Sequence, residues 1–271
     1  MTVGSKGRTL ILSGLGLNCE KETAYCCEKS GAKKVDIVHT LLFLNGQVKL
    51  KEYDFLIFIG GFLDGDYLGS AKVAVNRFKF ARLEGESLKR QLSDFIAAEK
   101  LILGICNGFQ FMVKLGLLPD ESMAFQSQKA SLTQNHNALF EDRWVQLKVN
   151  PKNSNIFTKG ISQLELPVRH GEGKIVVTDP DFQKRILNDE LIAMYYADEK
   201  GEQTAEYPHN PNGSWENAAA LSNKRGNLFG LMPHPEAYNH YTNHPQWTRR
   251  ENQGEDGDGL LIFKNAYRYL S

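Results

Sequence analysis

One cysteine of the chain, Cys106, lies between two glycines in the segment 104–110, which reads GICNGFQ. A thiol in a tight turn between a strand and a helix is the arrangement of a nucleophile elbow. The glycines permit close approach of a substrate, and the N-terminus of the following helix stabilises a thiolate. Most unpaired cysteines are small buried hydrophobes, but a purely structural cysteine gains nothing from such a turn. We therefore predict that Cys106 is a nucleophile.

A base and a carboxylate for this thiol occur together in the segment 232–236, which reads MPHPE. His234 would accept the thiol proton, and Glu236 would orient the imidazole ring. Residues two apart share one face of an extended segment, and the prolines on both sides of His234 stiffen it. The sequence thus predicts a triad of Cys106, His234 and Glu236.

Other histidines have a simpler interpretation, since a single histidine is more often a hydrogen-bonded surface or core residue. This applies to His209, His240 and His244. The spacing of His240 and His244 resembles that of metal ligands, but Pro245 disfavours a helix there and no third ligand follows. We expect no metal site.

Acyl transfer also requires donors for a developing oxyanion. The amides of Gly61 and Phe62 follow a predicted parallel strand and would face the elbow, and the Asn107 amide is the second donor expected. Glycines that only form a turn remain an alternative for the first segment. The segment 14–19, GLGLNC, resembles the start of a dinucleotide-binding fingerprint, but Cys19 replaces its third glycine and the signal is weak.

The elements that must position these residues are short apolar runs alternating with helical patterns. Strands are predicted at 9–13, 35–39, 55–59 and 101–105, with helices at about 19–30, at 107–115, and twice within 71–98 with a break near Gly85. Shorter strand-like runs follow at 144–149, 174–177, 192–197 and 228–232, before a helix at 260–270. Strands alternating with helices predict an α/β fold with a parallel sheet, and no linker or repeat divides residues 1–271 into two domains.

Composition excludes several classes of protein. Lysine plus arginine number 32, as do aspartate plus glutamate, so no net field attracts nucleic acid or an anionic membrane. Residues 1–12 contain no apolar stretch of signal-peptide length, and no later run could span a bilayer. The four cysteines form no CxxC pair, which fits a reducing compartment. We expect a cytoplasmic protein.

The cysteine elbow and the HPE motif together resemble those of class I glutamine amidotransferases. Further segments resemble the glutaminase subunit, or domain, of phosphoribosylformylglycinamidine synthase, and this resemblance extends over nearly the whole chain. The segments are GGFLDGDY (60–67), HGEGK (170–174), NPNGS (210–214) and GLMPHPE (230–236). The elbow and HPE alone would indicate only the wider superfamily.

This resemblance implies a flavodoxin-like α/β domain, with a mostly parallel sheet flanked by helices, in which Cys106 attacks the carboxamide of glutamine. Ammonia leaves, and water hydrolyses the glutamyl thioester. His234 and Glu236 complete the triad. By the same matching, the oxyanion hole consists of Gly61, Phe62 and Asn107, the glutamine site of Gln110, Asn135 and Phe140, and the partner or channel face of His170, Glu172, Asn210, Asn212 and Ser214.

The resemblance further implies that ammonia passes to a separate large synthetase subunit, often joined by a small bridging subunit. That synthetase uses ATP and magnesium to amidate formylglycinamide ribonucleotide. The chain has no Walker-type loop. We therefore expect no cofactor in this chain, with ATP and magnesium bound by the partner.

Three alternatives stay open on the residues. The chain could be a glutaminase for another ligase, a cysteine hydrolase of another acyl substrate, or a catalytically silent assembly subunit. The HGEGK and NPNGS segments argue against the first two, and the intact triad argues against the third. The sequence departs from the family at Ala237, where arginine is common, at Asn137, where serine is frequent, and at Arg169, where smaller residues are usual. These departures remove no catalytic group and bear on docking and glutamine contacts.

Overall fold

The computed structural model describes residues 7–83, 86–126, 128–250 and 254–271. Residues 1–6 and Gly85, at the predicted break between two helices, lie outside these ranges. The strands are β1 (Arg8–Ser13), β2 (Lys34–His39), β3 (Phe55–Phe58), β4 (Arg82–Leu83), β5 (Glu86–Ser87), β6 (Leu101–Ile105), β7 (Ala130–Thr133), β8 (Glu141–Val149), β9 (Gln163–His170), β10 (Lys174–Val177), β11 (Ile192–Ala197), β12 (Ala218–Ser222) and β13 (Leu228–Leu231).

The α-helices are α1 (Glu20–Lys29), α2 (Thr40–Leu44), α3 (Lys72–Phe80), α4 (Leu88–Ala97), α5 (Asn107–Leu115), α6 (Pro180–Asn188) and α7 (Leu260–Leu270). Short 3-10 turns include Leu63–Asp66 and Pro235–Ala237. The strands and helices predicted from the sequence are present, with ends that agree to within a few residues. Helices α1 and α7 contact each other on the sheet, and α3 contacts both α4 and α5. The predicted α/β class is confirmed.

A nine-stranded mixed sheet forms the centre, in the order β2-β1-β3-β6-β13-β12-β11-β8-β9. The first five strands in this order are mutually parallel, and each later neighbour pairs antiparallel. All residues of β3, β6 and β13 are buried. Parallel strands covered on both faces carry such continuous apolar sequences, and this is why their positions could be predicted.

Several elements were not predicted. They are α2, α6, β4, β5, β7, β9 and β12. Strand β9 contains Pro167 and three exposed or half-buried positions, so its sequence lacks a clear apolar pattern. Helix α6 does carry a start signal, because Asp179 caps its first amides and Pro180 occupies its first turn. Within the described ranges, none of the helices combines the length and apolar character needed to cross a membrane.

Candidate active site

The site lies at one edge of the parallel half of the sheet, where three neighbouring strands end. Strand β3 leads into Gly60, β6 into Cys106 and β13 towards His234. Their register aligns Phe58 with Gly104 and Leu231 with Ile105, and the Cys106 amide donates to the Leu231 carbonyl at 2.8 Å. The carboxyl ends of parallel strands therefore bring together residues that are far apart in the sequence.

Cys106 occupies a strained turn between β6 and α5. Its φ and ψ are 51° and −104°, a conformation unfavourable for a residue with a side chain. The glycines around it make the turn possible, because a Cβ on Gly108 would lie 1.9 Å from the Phe58 carbonyl oxygen and one on Gly104 would lie 2.5 Å from Met112 Sδ. The helix can thus pack directly against the strands, and the predicted sharp turn between strand and helix is present.

His234 and Glu236 form a buried pair beside this cysteine. Their Nδ1 and Oε1 atoms are 2.6 Å apart, with 3% and 0% of the two side chains exposed. The carboxylate accepts the Nδ1 proton, so Nε2 is the nitrogen left for a thiol. Burial lowers the pKa of His234, but the negative charge of Glu236 and the neighbouring Cys106 thiol raise that pKa well above its ordinary value. The imidazole is therefore a strong proton acceptor.

The two amides proposed for the oxyanion hole after β3 point in opposite directions. Leu17 and Gly61 form an antiparallel bridge in which Asn18 donates to the Gly60 carbonyl and Phe62 donates to the Gly16 carbonyl. Gly61 thus belongs to a non-hydrogen-bonded pair, and its own amide points away from Leu17. Because β3 lies between β1 and β6, that direction is towards the strand that carries Cys106. This arrangement favours the Gly61 amide as an oxyanion donor. The Phe62 amide already donates to the Gly16 carbonyl at 2.7 Å.

The segment 14–19 is a wall of the site. A Cβ on Gly16 would lie 2.0 Å from the Phe62 carbonyl oxygen, so the glycine permits close packing of two loops. The segment ends at Cys19, whose thiol lies beside His234 and Glu236, with one ligand atom from each residue within 4.8 Å of the others. Sequence reasoning missed this second thiol, because its motif indicated only a weak dinucleotide fingerprint.

Two thiols therefore neighbour one imidazole, and their surroundings differ. Burial raises the pKa of Cys19, which the His234 contact opposes and the Glu236 carboxylate reinforces. Cys106 instead lies at the elbow, and its Sγ is 3.6 Å from the Arg169 carbonyl oxygen. Since Arg169 makes this contact through its backbone, the departure from smaller residues leaves the contact intact. These surroundings favour Cys106 as the nucleophile.

Asn107 and Gln110 join the elbow to its surrounding loops. The Asn107 side chain accepts the Leu63 amide at 3.1 Å and donates to both Asp66 Oδ1 and Gln110 Oε1. Gln110 in turn donates to the Glu172 carbonyl at 2.6 Å. Both side chains are buried, so they fix the loops rather than extend freely into a cavity.

Asn135 holds the 170–173 loop. Its Nδ2 donates to the carbonyls of Leu139 and His170 at 2.8 Å each, and its Oδ1 accepts the Gly173 amide at 2.9 Å and lies 3.1 Å from His170 Nδ1. Two donors and two acceptor positions are thus occupied. The side chain has no capacity left for a direct bond to glutamine, so its effect on a substrate would be through this loop.

The same bonds determine the state of His170. Because the Asn135 amide is oriented by two carbonyls, its oxygen faces His170 Nδ1, and that nitrogen must carry the proton. The Nε2 atom is then an acceptor, buried and without a hydrogen-bond partner among the described residues. Burial, together with the charge of His234, lowers the pKa of His170 to about 3. His170 is a neutral acceptor at physiological pH.

A cavity of about 660 Å³ opens beside this loop. Phe140 and Glu172, two of the predicted site residues, line it together with Lys72 and Lys114. Phe140 is exposed, and its ring centroid is 6.5 Å from that of Phe62. Glu172 Oε2 accepts the Ser70 amide at 3.1 Å and lies 3.8 Å from Lys114 Nζ. The cavity therefore carries charges of both signs, which suit an amino acid.

The 210–214 segment does not form an exposed docking face. Asn210, Asn212 and Ser214 are buried, so their side chains are not exposed for docking, and the other predicted role, a channel face, stays a prediction. Asn212 donates to the Tyr196 hydroxyl at 2.9 Å, and Ser214 Oγ accepts the Ile175 amide at 3.0 Å. Their polar groups bind inward because the loop backs the 170–174 segment.

Tyr196 was not predicted as a site residue, since it lies in an apolar strand. It is fully buried, burial raises the pKa of its hydroxyl, and negative charge at Cys106 adds to that rise. A single polar atom in an apolar run gave no signal in the sequence.

The remaining histidines and departures have local roles. His240 caps a 3-10 turn, and His244 Nε2 lies 3.2 Å from Glu165 Oε1. Within the ranges that the structure describes, neither belongs to a group of three metal-ligating side chains. Asn137 donates to Glu141 Oε1, and Ala237 lies in the 3-10 turn after His234.

Comparison with known proteins places this geometry in context. Residues 6–270 match the CobB/CobQ-like glutamine amidotransferase domain. The subunit PurQ of phosphoribosylformylglycinamidine synthase from Dehalococcoides mccartyi is 40% identical over 98% of both chains, and the PurQ of Methanococcus maripaludis strain S2 is 37% identical over 97% of both.

Solved structures resemble the chain as well. A chain in the structure of PurLQS from Thermotoga maritima is 28% identical, with a TM-score of 0.69, covering 98% of this chain and 100% of that one. The glutaminase domain of CTPS from Trypanosoma brucei, at 14% identity and a TM-score of 0.54, covers 97% of this chain and 94% of its own, and shares the fold.

Proposed function

The chain belongs to the CobB/CobQ-like glutamine amidotransferases and, within them, to the PurQ subunits of phosphoribosylformylglycinamidine synthase, and from this premise we propose that Cys106, His234 and Glu236 are its catalytic triad. The protein is the glutaminase subunit of a synthetase complex in purine biosynthesis. The observation that supports the triad most directly is the buried 2.6 Å pair of His234 and Glu236 beside the strained Cys106 turn.

The first step is attack on the glutamine carboxamide. His234 Nε2 takes the Cys106 proton, and the sulfur forms a bond to the carboxamide carbon. Negative charge moves to the carboxamide oxygen, where the amides of Gly61 and Asn107 would donate to it. The Gly61 amide is directed towards this side of the sheet, and the Asn107 amide lies in the first helical turn, where it has no intrahelical acceptor.

Departure of ammonia completes this half-reaction. The carbon–nitrogen bond breaks as protonated His234 gives its Nε2 proton to the leaving nitrogen, which leaves neutral ammonia and a Cys106 thioester. Water then attacks the thioester, His234 takes one of its protons, and that proton returns to sulfur as glutamate leaves. Glu236 keeps the imidazole in the required orientation and stabilises its charged form in both halves.

The charged cavity is our candidate for the glutamine entrance. Glu172 would bind the α-ammonium group and Lys72 the α-carboxylate, since these charges line the same 660 Å³ space. Phe140 supplies an apolar surface for the methylene groups. Gln110 positions the Glu172 backbone, and Asn135 positions the loop behind it.

His170, Asn212 and Ser214 are our candidates for the start of an ammonia route. A neutral acceptor can bind ammonia through one of its N–H bonds without protonating it, and His170 Nε2 is such an acceptor. Asn212 and Tyr196 extend the buried polar surface next to it. Asn210 contributes by fixing the loop, because its Oδ1 accepts the Gly213 amide at 2.9 Å.

The complex that receives the ammonia is part of the proposal. The PurLQS name of the Thermotoga maritima structure supports a large synthetase partner and a small bridging partner. We propose that this chain contributes glutamine hydrolysis and no cofactor. ATP and magnesium would bind the large partner, where ammonia amidates formylglycinamide ribonucleotide.

A comparison of the two thiols tests the proposal. Cys106→Ala and the matched Cys19→Ala each remove one sulfur beside His234, and both are assayed in the reconstituted complex. Cys106→Ala should lower glutamine-dependent synthesis by about a thousandfold or more, as expected for a lost nucleophile, and leave ammonium-dependent synthesis intact. Cys19→Ala should keep both activities. The reverse pattern would identify Cys19 as the nucleophile, and loss of ammonium-dependent synthesis in folded Cys106→Ala would contradict the division of labour.

A further inference from the structure

The carboxylate of Glu236 has one oxygen that the triad does not use. Its Oε1 accepts from His234, but Oε2 is buried and has no hydrogen-bond partner among the described residues. A buried carboxylate oxygen without a partner requires an explanation, because almost all such groups are paired. Glu236 belongs to the one place in the described structure where cysteine, histidine and carboxylate ligand atoms lie together.

We propose that Cys19, His234 and Glu236 form an inhibitory site for a thiophilic divalent cation, with Zn²⁺ as the natural candidate. One ligand atom of each residue lies within 4.8 Å of the others. Tetrahedral zinc with bonds of about 2.0 to 2.3 Å needs its ligand atoms roughly 3.3 to 3.7 Å apart. Side-chain rotations that move the ligand atoms by about 1 Å would therefore suffice to bring them to the separations that zinc requires.

The donor set determines which cation binds. A thiolate, an imidazole and one carboxylate suit zinc, whereas magnesium prefers oxygen ligands and retains most of its waters. Magnesium, which would support ATP chemistry in a partner, would thus not bind at this site. On binding, the Cys19 thiol loses its proton to solvent and its sulfur forms the metal bond.

The cation can reach the site from the Cys19 side. His234 and Glu236 are buried, but Cys19 is partly exposed, and its thiol donates to Asn18 Oδ1 at 3.1 Å. Cys19 also belongs to the wall held by the Leu17 and Gly61 bridge, so its position is fixed independently of the elbow. Three protein ligands leave a fourth position for water.

The bound cation would inhibit glutamine hydrolysis whether it binds Nε2 or Nδ1 of His234. A metal on Nε2 occupies the atom that must accept the Cys106 proton. A metal on Nδ1 displaces the proton shared with Glu236 and forces the neutral ring to carry its proton on Nε2. In both cases the base is lost, and glutamine hydrolysis stops. This inhibitory consequence rests on the proposed function, whereas cation binding does not.

Direct binding is measured first, on the full chain with its thiols reduced. Zn²⁺ is titrated in competition with a chromophoric chelator, and Co²⁺ serves as a spectroscopic probe of sulfur ligation. We expect Cys19→Ser to weaken Zn²⁺ binding at least tenfold and to remove the sulfur-to-cobalt charge-transfer band. Cys106→Ala should retain both the affinity and the band. Cys19→Ala, with circular dichroism as a check of folding, replaces Cys19→Ser if the serine variant does not fold.

Activity is measured second, in the complex. Zn²⁺ should inhibit glutamine-dependent synthesis by the wild type at lower concentration than by Cys19→Ser, by a factor of ten or more, with ammonium-dependent synthesis less affected. Equal zinc affinity in wild type and folded Cys19→Ser would overturn the proposal, as would loss of binding in Cys106→Ala. Zinc binding without any glutaminase activity in the wild type would overturn the proposed function and leave the metal site standing.

Discussion

Gly60 is the residue at which a single methyl group tests the geometry of the triad. A Cβ added there would lie 2.8 Å from His234 Cε1 and 3.6 Å from Cys106 Cβ. Ordinary contact begins near 3.4 Å, so the imidazole of Gly60→Ala must move by about 0.6 Å. It cannot do so freely, because His234 is buried and bonded to Glu236 at 2.6 Å.

The expected loss can be worked from this displacement. A misplacement of about 1 Å in a catalytic group costs roughly a hundredfold in rate, so 0.6 Å should lower kcat about 10- to 100-fold. This corresponds to about 1.4 to 2.7 kcal/mol of barrier. Overpacking should also lower the free energy of unfolding by about 1 to 3 kcal/mol. The KM for glutamine should change little, since the added methyl lies at the triad and not in the charged cavity.

The assay measures glutamate release from glutamine in the reconstituted complex, with chemical denaturation of the chain alone. Gly160→Ala is the matched control: Gly160 has a φ of +76°, and its Cβ would meet nothing within 4 Å. That variant should lose about 1 to 2 kcal/mol of stability through backbone strain and keep its kcat. If folded Gly60→Ala retained kcat within twofold of the wild type, the close packing of His234 against Gly60 would not control catalysis and our reasoning would fail.

Three further predictions concern the supports of the site. The pKa of His170 is lowered from 6.5 to about 3, so below pH 6.5 the unfolded chain gains a proton that the folded chain does not. Between pH 6.5 and 5, acidification should therefore lower the free energy of unfolding of the wild type by about 2 kcal/mol more than that of His170→Gln. Urea unfolding across that pH range measures the difference, and parallel pH dependences of the two proteins would contradict the prediction. Lys114 Nζ donates to the Ser70 carbonyl at 2.6 Å and hydroxyl at 2.7 Å, so Lys114→Met should cost about 2 to 3 kcal/mol in the same unfolding assay, and an unchanged midpoint would exclude these bonds as supports. Gly108→Ala should lose more than about 4 kcal/mol, because its Cβ would lie 1.9 Å from the backbone oxygen of Phe58, and a thermal melt like that of the wild type would show that α5 can shift.

The sequence was most informative where local chemistry and local structure coincide. The Cys106 turn could be predicted because two glycines, a strand pattern and a helix pattern all occur within a few residues. His234 and Glu236 were predicted for the same reason, and the 2.6 Å contact between them joins residues only two positions apart. Buried parallel strands such as β3 and β6 were also predictable, because both faces require apolar residues.

Features that depend on pairing between distant segments could not be predicted. The direction of the Gly61 and Phe62 amides depends on the bridge to Leu17, and no local pattern encodes that register. In the sequence, Cys19 was noted only as the residue that replaces the third glycine of a dinucleotide-binding motif. Its contact with His234 could not be predicted, because that contact exists only after β1 and β13 have joined one sheet. The 210–214 loop looked like a surface loop because its residues are polar, yet the partners of those polar groups lie inside the chain.

The strand order of the sheet also has a consequence during synthesis. Cys106 follows β6, but His234, its proposed base, follows β13, which enters the sheet between β6 and β12. While the chain is still emerging from the ribosome, the thiol exists and the imidazole does not. A nascent or truncated chain therefore lacks an activated nucleophile, and the reactive centre appears only when the last strand has been inserted. Such long-range pairing forms late in folding. With the proposed triad, glutamine hydrolysis therefore requires β13 to be in the sheet.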